Sequence, residues 1–305
     1  MEHLTAATRA GVLAVIQTKS VIAMLKRIQP EVDIEIKTIT TSGDSDRRTA
    51  LWNLKDTGFF TSQLEDALLA NDADFAVHSF KDLPTQLRDG LKIAAVCDRK
   101  FIEDCLVSNL HFESIEQLPK NAKIGTSSLR RAAQIKHIRS DLQTVPIRGN
   151  VKTRIRKLED GNCDAIVLAR AGLERVGLEK KISFIFDPSE FIPAPAQGAL
   201  AIQTRSNDER TNKLIAKIND KQTEIETFAE RKILSVLECG CHAPVGVYAN
   251  ITDNSVKIQA FISNSDGTNF ITRTEKGNAS EAETVAQYLA KELLEAGGRE
   301  ILKGI

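Results

Sequence analysis

The chain has 305 residues, enough for two or three domains of about 100–200 residues each. At 42% hydrophobic and 27% charged it can bury a substantial core, which excludes a disordered chain. Its 41 Lys and Arg balance 41 Asp and Glu, so no bulk field draws nucleic acid or an anionic membrane surface, and any basic site must be local. Five cysteines are an odd number and are not spaced like a small secreted scaffold. The opening Met1-Glu2-His3-Leu4-Thr5 has no basic or long apolar leader. No apolar run approaches the roughly 18 residues of a membrane span. A reduced, cytoplasmic protein is expected.

Leu4 to Thr8 reads as a short strand running through Arg9-Ala10-Gly11 into a helix over Val12 to Ile28, with Leu13, Ile16, Val21, Met24, Leu25 and Ile28 apolar. Val32, Ile34 and Ile36 alternate with Asp33, Glu35 and Lys37, the pattern of a half-buried strand. Thr41 to Thr57 is polar and aperiodic, a candidate mobile loop. A helix follows over Thr61 to Ala70, then a buried strand at Phe75-Ala76-Val77. That strand runs into His78-Ser79-Phe80-Lys81-Asp82, and Leu91 to Val96 is a further strand.

A second unit opens after Asp98-Arg99-Lys100. Strand is expected at Ala122 to Gly125, with Thr126-Ser127-Ser128 as an N-cap cluster and helix over Leu129 to Ile138. Strand at Thr144 to Ile147, helix at Val151 to Leu158 and strand at Ala165 to Leu168 follow. Ala171-Gly172-Leu173 then leads into another helix. Such alternation predicts α/β domains with mainly parallel sheets. The proline-bearing crossing Ile192 to Gly198 is a hinge candidate. Ala199 to Thr204 is strand again and returns the chain to the first domain. The remainder predicts a small α+β domain: helix at Thr223 to Val236, strands at Gly246 to Ile251, Val256 to Ile262 and Phe270 to Thr274, and a last helix at Ala282 to Ala296. The expected domains are 1–98 with 198–218, then 99–197, then 219–305.

Several residues suggest chemistry. Arg130, Arg131, Arg148, Arg154 and Arg175 lie near strand ends or helix starts. There ligands bind in open sheets, and free N–H groups favour anions. Guanidinium groups pair oxyanions bidentately, so the group predicts a carboxylate- or phosphate-rich ligand; solvated faces are the alternative. Asp82, after a buried strand and beside Lys81, suits a general acid/base or a stabiliser of a developing cation, or else a turn aspartate. His78 reads as a structural hydrogen-bonder. Cys239, Cys241 and His242 are too tightly spaced for a usual zinc site, and no metal is expected. Cys241 follows a helix in a glycine-bearing turn, where a thiol can be held out for reaction. Cys97, Cys105 and Cys163 lie in or beside apolar segments and are expected to be inert.

Eight blocks stand in one order: Ala7-Thr8-Arg9 with Leu13-Ala14 and Gln17; Gly58-Phe59-Phe60 with Leu64-Glu65; Ala76 through Pro84; Gly125 through Arg131; Arg148-Gly149-Asn150-Val151 with Thr153-Arg154; Asp164 through Ala169 with Ala171-Gly172-Leu173; Pro193-Ala194 with Gln197-Gly198; and Gly240-Cys241 with Pro244. Over nearly its whole length the chain thereby resembles the porphobilinogen deaminase (hydroxymethylbilane synthase) family.

The resemblance implies a transferase. It joins four porphobilinogen molecules head to tail, loses ammonia each time and releases a linear tetrapyrrole, as in porphyrin and haem biosynthesis. It implies two α/β domains like those of periplasmic binding proteins around a cleft, with the third domain presenting a thioether-linked dipyrromethane cofactor on Cys241. Each pyrrole carries an acetate and a propionate. The binding positions implied are Arg9, Gln17, Phe60, Ser79, Lys81, Thr126, Ser127, Ser128, Arg130, Arg131, Arg148, Gly149, Asn150, Arg154, Arg175 and Gln197. Asp82 maps onto the carboxylate that holds pyrrole N–H groups and stabilises the cation left by ammonia. A monomer with no nucleic-acid or membrane partner is implied.

The chain departs from the family at four places. Gly11 stands for a serine, Asn53 and Thr57 align with lysines of the loop, and Cys239 replaces a smaller residue. Two other readings therefore stay open: a slow or diverged member, and a two-lobed binding protein for anionic small molecules.

Overall fold

The computed structural model describes residues 2–41, 61–110, 112–239 and 243–304. Phe60, Gly240, Cys241, His242 and almost all of the polar segment, including Asn53 and Thr57, lie outside them. In chain order the elements begin with β1 (Glu2–Arg9), α1 (Val12–Ile28), β2 (Val32–Ile39), α2 (Ser62–Leu69), β3 (Phe75–Ser79), a 3-10 turn (Phe80–Asp82) and β4 (Leu91–Cys97). Next come β5 (Asp104–Ser108), β6 (Lys123–Gly125), α3 (Leu129–Ile138), β7 (Gln143–Val145), α4 (Val151–Glu159), β8 (Ala165–Ala169), α5 (Arg170–Arg175) and β9 (Phe184–Ile185). Then follow β10 (Leu200–Arg205), α6 (Glu209–Ile215), α7 (Lys221–Val236), β11 (Val245–Thr252), β12 (Ser255–Ser263), β13 (Phe270–Asn278), α8 (Ala282–Leu293) and α9 (Arg299–Lys303).

The described residues form two compact units, 2–41 with 61–100 and 198–224, and 101–197 (without 111) with 225–239 and 243–304. The first holds a five-stranded sheet in the order β2-β1-β3-β10-β4. Both faces are covered. Leu4, Ala6, Phe75, Val77, Leu200 and Ile202 pack with Val21 and Leu25 of α1 and Leu214 and Ile215 of α6. Ala7 and Ala76 on the other face pack against Leu64, Ala67 and Leu68 of α2. Leucine burial of this kind is worth about 1.5–3 kcal/mol per side chain.

The second unit holds a five-stranded sheet, β7-β6-β8-β5-β9, and a three-stranded sheet, β11-β12-β13. In the latter, Asp253 and Asn254 both take positive φ (49° and 63°), as a tight two-residue hairpin between right-twisted strands requires. A core of Ile233, Val247, Ile258, Ala286 and Leu289, among others, joins that sheet to α7 and α8.

The larger sheets are mainly parallel, as expected, but mixed: in each, one strand runs against the other four. β1 runs parallel to β2 and β3, but β10 runs antiparallel to both β3 and β4. Likewise β6 is parallel to β7 and β8, while β5 is antiparallel to β8 and β9. The antiparallel members are the strands on which the chain enters or returns to a sheet from afar, a long-range fact that local alternation does not carry. The last helix continues past α8 as a π-turn over Leu294–Gly298, and Gly297 at φ 114°, directly after the expected end at Ala296, kinks the run before α9.

Candidate active site

In the first unit the site residues gather at the ends of β1 and β3. Phe80 and Leu83 are fully buried, and Phe80 N–H donates to Ala199 O at 3.0 Å. Leu83 N–H donates to Phe80 O at 3.3 Å and closes the turn. A turn pinned by two buried side chains leaves Asp82 itself exposed, with Lys81 half-buried beside it. A carboxylate so placed faces solvent from a fixed backbone. Gln17, on α1 and only 4% exposed, donates through Nε2 to Ser79 Oγ at 2.9 Å, which fixes that hydroxyl at the strand end. Arg9 closes β1 and is half-buried.

Gly11 precedes α1 at φ −74°, and a Cβ there would meet nothing within 4 Å. The family's serine would fit, so packing does not impose this departure.

In the second unit the expected N-cap cluster is present. Ser128 Oγ accepts from Arg131 N–H at 3.4 Å as the cap of α3. Ser127 Oγ donates to Ile147 O at 2.8 Å, and Thr126 Oγ1 accepts from Ser128 N–H at 3.2 Å. These hydroxyls shape the loop after β6 as well as line it. Asn150 caps α4, its Oδ1 accepting from Thr153 N–H at 2.9 Å. Gly149 has φ +113°, and a Cβ there would fall 2.6 Å from the Thr153 side chain, so only glycine fits. Arg154 Nε donates to Gly149 O at 2.8 Å, which holds the guanidinium over this turn. Arg148 Nη1 is buried and has no hydrogen-bond partner among the described residues. Arg175 sits in the last turn of α5 and not at a helix start.

Arg130 and Arg131 are 5% and 7% exposed and converge on Asp104, which is fully buried. Arg130 Nη2 lies 2.7 Å from Asp104 Oδ2, and Arg131 Nη2 lies 2.7 Å from Oδ1. Gln197 Nε2 adds a bond to Oδ1 at 3.0 Å and one to Ile102 O at 2.9 Å. Arg130 Nη1 also donates to Ile192 O at 2.7 Å, and Arg131 Nη1 to Val167 O at 3.2 Å. Burial alone would push the Asp104 carboxyl up. The charges of Arg130 and Arg131, with hydrogen bonds from Arg131 and Gln197, hold it well below the usual carboxylate range.

Nothing local in the sequence marks Asp104 as the partner of these arginines. An acid at the head of the apolar run Cys105-Leu106-Val107 was the available signal. Burial pushes the Cys105 thiol up to about 12 and raises that of Cys163, so both are poor nucleophiles. Cys239 is half-buried and packs against the core of the three-stranded domain. Glu238 before it takes φ 52° and ends α7.

A mixed α/β frame with a solvent-facing carboxylate at one strand end and oxyanion-binding groups at others suits an enzyme acting on a small, multiply anionic molecule. Residues 4–213 match the family described as porphobilinogen deaminase, dipyromethane cofactor binding domain, and residues 225–295 match the porphobilinogen deaminase C-terminal domain. The porphobilinogen deaminase of Carboxydothermus hydrogenoformans is 41% identical over 98% of this chain and 96% of its own. That of Deinococcus radiodurans is 39% identical over 100% and 99%. Among solved structures, the methionine-binding protein MetQ is similar at a TM-score of 0.45 and 14% identity, over 71% of this chain and 89% of that one. The chain belongs to the porphobilinogen deaminase family, whose members are transferases that form hydroxymethylbilane on a dipyrromethane cofactor.

Proposed function

We propose that this chain condenses porphobilinogen stepwise on a dipyrromethane anchored at Cys241, with Asp82 as the catalytic carboxylate. The observation that carries the residue roles is Arg148, whose buried Nη1 lacks an acceptor among the described residues. A buried cationic donor costs free energy unless an anion meets it. The acetates and propionates of a pyrrole chain are such anions, so the residues present fit the cofactor. Arg9, Arg148, Arg154 and Arg175 would take its carboxylates and those of the growing chain. Arg130 and Arg131 would offer the donors that Asp104 leaves over. Ser79, Lys81, Thr126, Ser127, Ser128, Gly149 and Asn150 would line the ring positions, with Gln17 and Gln197 holding that lining. Phe60, outside the described residues, would stack on a ring. When bound, the cofactor supplies the terminal pyrrole carbon from which the chain grows.

Asp82 would accept pyrrole N–H groups and stabilise positive charge as ammonia leaves. The carboxylate gains most when the charge is fullest, which is what lowers a barrier. A monomer working in the cytoplasm completes the proposal. No helix among the described residues is long and apolar enough to cross a membrane.

Intact-protein mass tests the anchor. The purified protein should exceed the polypeptide by two pyrrole units. Cys241→Ser should lose the addition and Cys239→Ser should keep it; an adduct retained in Cys241→Ser would move the anchor elsewhere. Arg148→Ala should bind the first porphobilinogen and then stall, so mass spectra taken during turnover should show short enzyme-bound chains in excess. An unchanged ladder of bound chains would remove Arg148 from elongation.

A further inference from the structure

On the α2 face of the first sheet, three buried polar side chains join end to end. Gln203 is fully buried, Glu65 is 4% exposed and His78 is 5% exposed. Gln203 Nε2 donates to Glu65 Oε1 at 2.9 Å, and Gln203 Oε1 lies 3.0 Å from His78 Nε2. The geometry follows from register. Gln203 of β10 pairs with Ala76 of β3, and Ala201 with His78. Residues opposite one another share a face, and so do residues two apart on one strand. Ala7, Ala76 and Ala201 leave room there for long polar side chains.

The bonding fixes a proton. The Glu65 oxygen accepts, so the Gln203 amide must turn its nitrogen toward Glu65 and its oxygen toward His78. An amide oxygen only accepts, so His78 Nε2 must carry the hydrogen, and a neutral ring then has a bare Nδ1. Burial pushes the His78 imidazole down to about 4; the hydrogen bond with Gln203 opposes this, and the charge of Arg9 adds to it. Ala7 pairs with Ala76, which places Arg9 beside His78 two residues further along. The charged groups linked to this ring are Glu65 of α2, through Gln203, and Arg9 of β1; Lys81 and Asp82 come three and four residues later in the chain.

We propose that Glu65 and Gln203 are positioning residues that fix the buried, neutral His78 ring as its Nε2–H tautomer, so that the bare Nδ1 is the acceptor left at the strand end carrying Asp82. The functional half rests on the reading of Asp82 as the group that meets a developing positive charge. An imidazolium on the strand that leads into Asp82 would oppose that charge.

The test begins with the resting holoenzyme. With ring-15N histidine, His78 should show the Nε2–H signature, identified by its absence from His78→Asn, and should not titrate until the pH falls toward about 4. An Nδ1–H or mixed ring would overturn the proposal, and this readout involves no substrate, so it is separate from the fate of Asp82. Kinetics then give opposite expectations for two variants. Gln203→Glu sets a carboxyl against Nε2 and favours the imidazolium, so the acid limb of kcat/KM should move toward neutrality by about one to three pH units. Gln203→Leu removes a bond that raises the ring's proton affinity, so its acid limb should not move up. A purely structural role would lower Tm in both and shift neither profile; that result, or equal shifts in both, would overturn the proposal.

Discussion

Asp82→Asn should lower kcat about 100- to 1000-fold, the usual cost of removing one preorganised charge-stabilising group. The carboxamide has the same size and keeps one oxygen to accept a pyrrole N–H. What it lacks is the negative charge, and that matters only once ammonia begins to leave. KM for porphobilinogen should therefore change much less than kcat, the pattern of an interaction made in the transition state. The fold should be untouched, because Asp82 is exposed and its turn is held by Phe80 and Leu83 behind it. Single-turnover rates with the loaded enzyme, beside a melting curve, check both halves. A near-normal rate would take Asp82 out of the chemistry. A large fall in Tm would show that the carboxylate holds the turn.

Much of this site was legible because its signals are local. Asp82 follows a short buried strand, and the strand's apolar run and the proline after the turn mark the place. Ser128 before Leu129 and Asn150 before Val151 are caps with the right side chains, and both helices start where those caps put them. Val32, Ile34 and Ile36 alternate, and β2 formed there.

The parts that were not legible depend on residues far apart in the chain. Asp104 is tolerated in the core only because two arginines some 26 residues later reach it, and no short window holds all three. For the same reason β5 was not expected: it begins at that acid, and its apolar run is brief. The direction of β10 is set by the whole excursion between Lys100 and Gly198. The Glu65–Gln203–His78 chain joins three elements whose residues lie up to 138 positions apart. Cations could be read as a group from their placement, but whether a given guanidinium faces a ligand or a buried carboxylate required the partner.

That distinction sets the largest expected effect on stability. Asp104→Ala should cost about 3–5 kcal/mol, because it strands two buried guanidinium groups without their counter-ion. In a unit of this size that is a fall in Tm on the order of 10 °C. Asp104 also gathers pieces that are distant in sequence: α3 through Arg130 and Arg131, and the segment before β10 through Gln197. The pH dependence has a definite sign. A carboxylate whose folded pKa is depressed contributes its stability in full above its ordinary value of about 3.9. It loses that contribution only as the pH falls toward the depressed folded value. The gap in unfolding free energy between wild type and Asp104→Asn should therefore be constant from neutrality to about pH 4 and close only below it. Urea titrations at a series of pH values measure this. A gap that closes between pH 7 and 5 would mean that Asp104 is not held as the anion by its arginines, and a difference near zero throughout would mean that the two guanidinium groups find other acceptors.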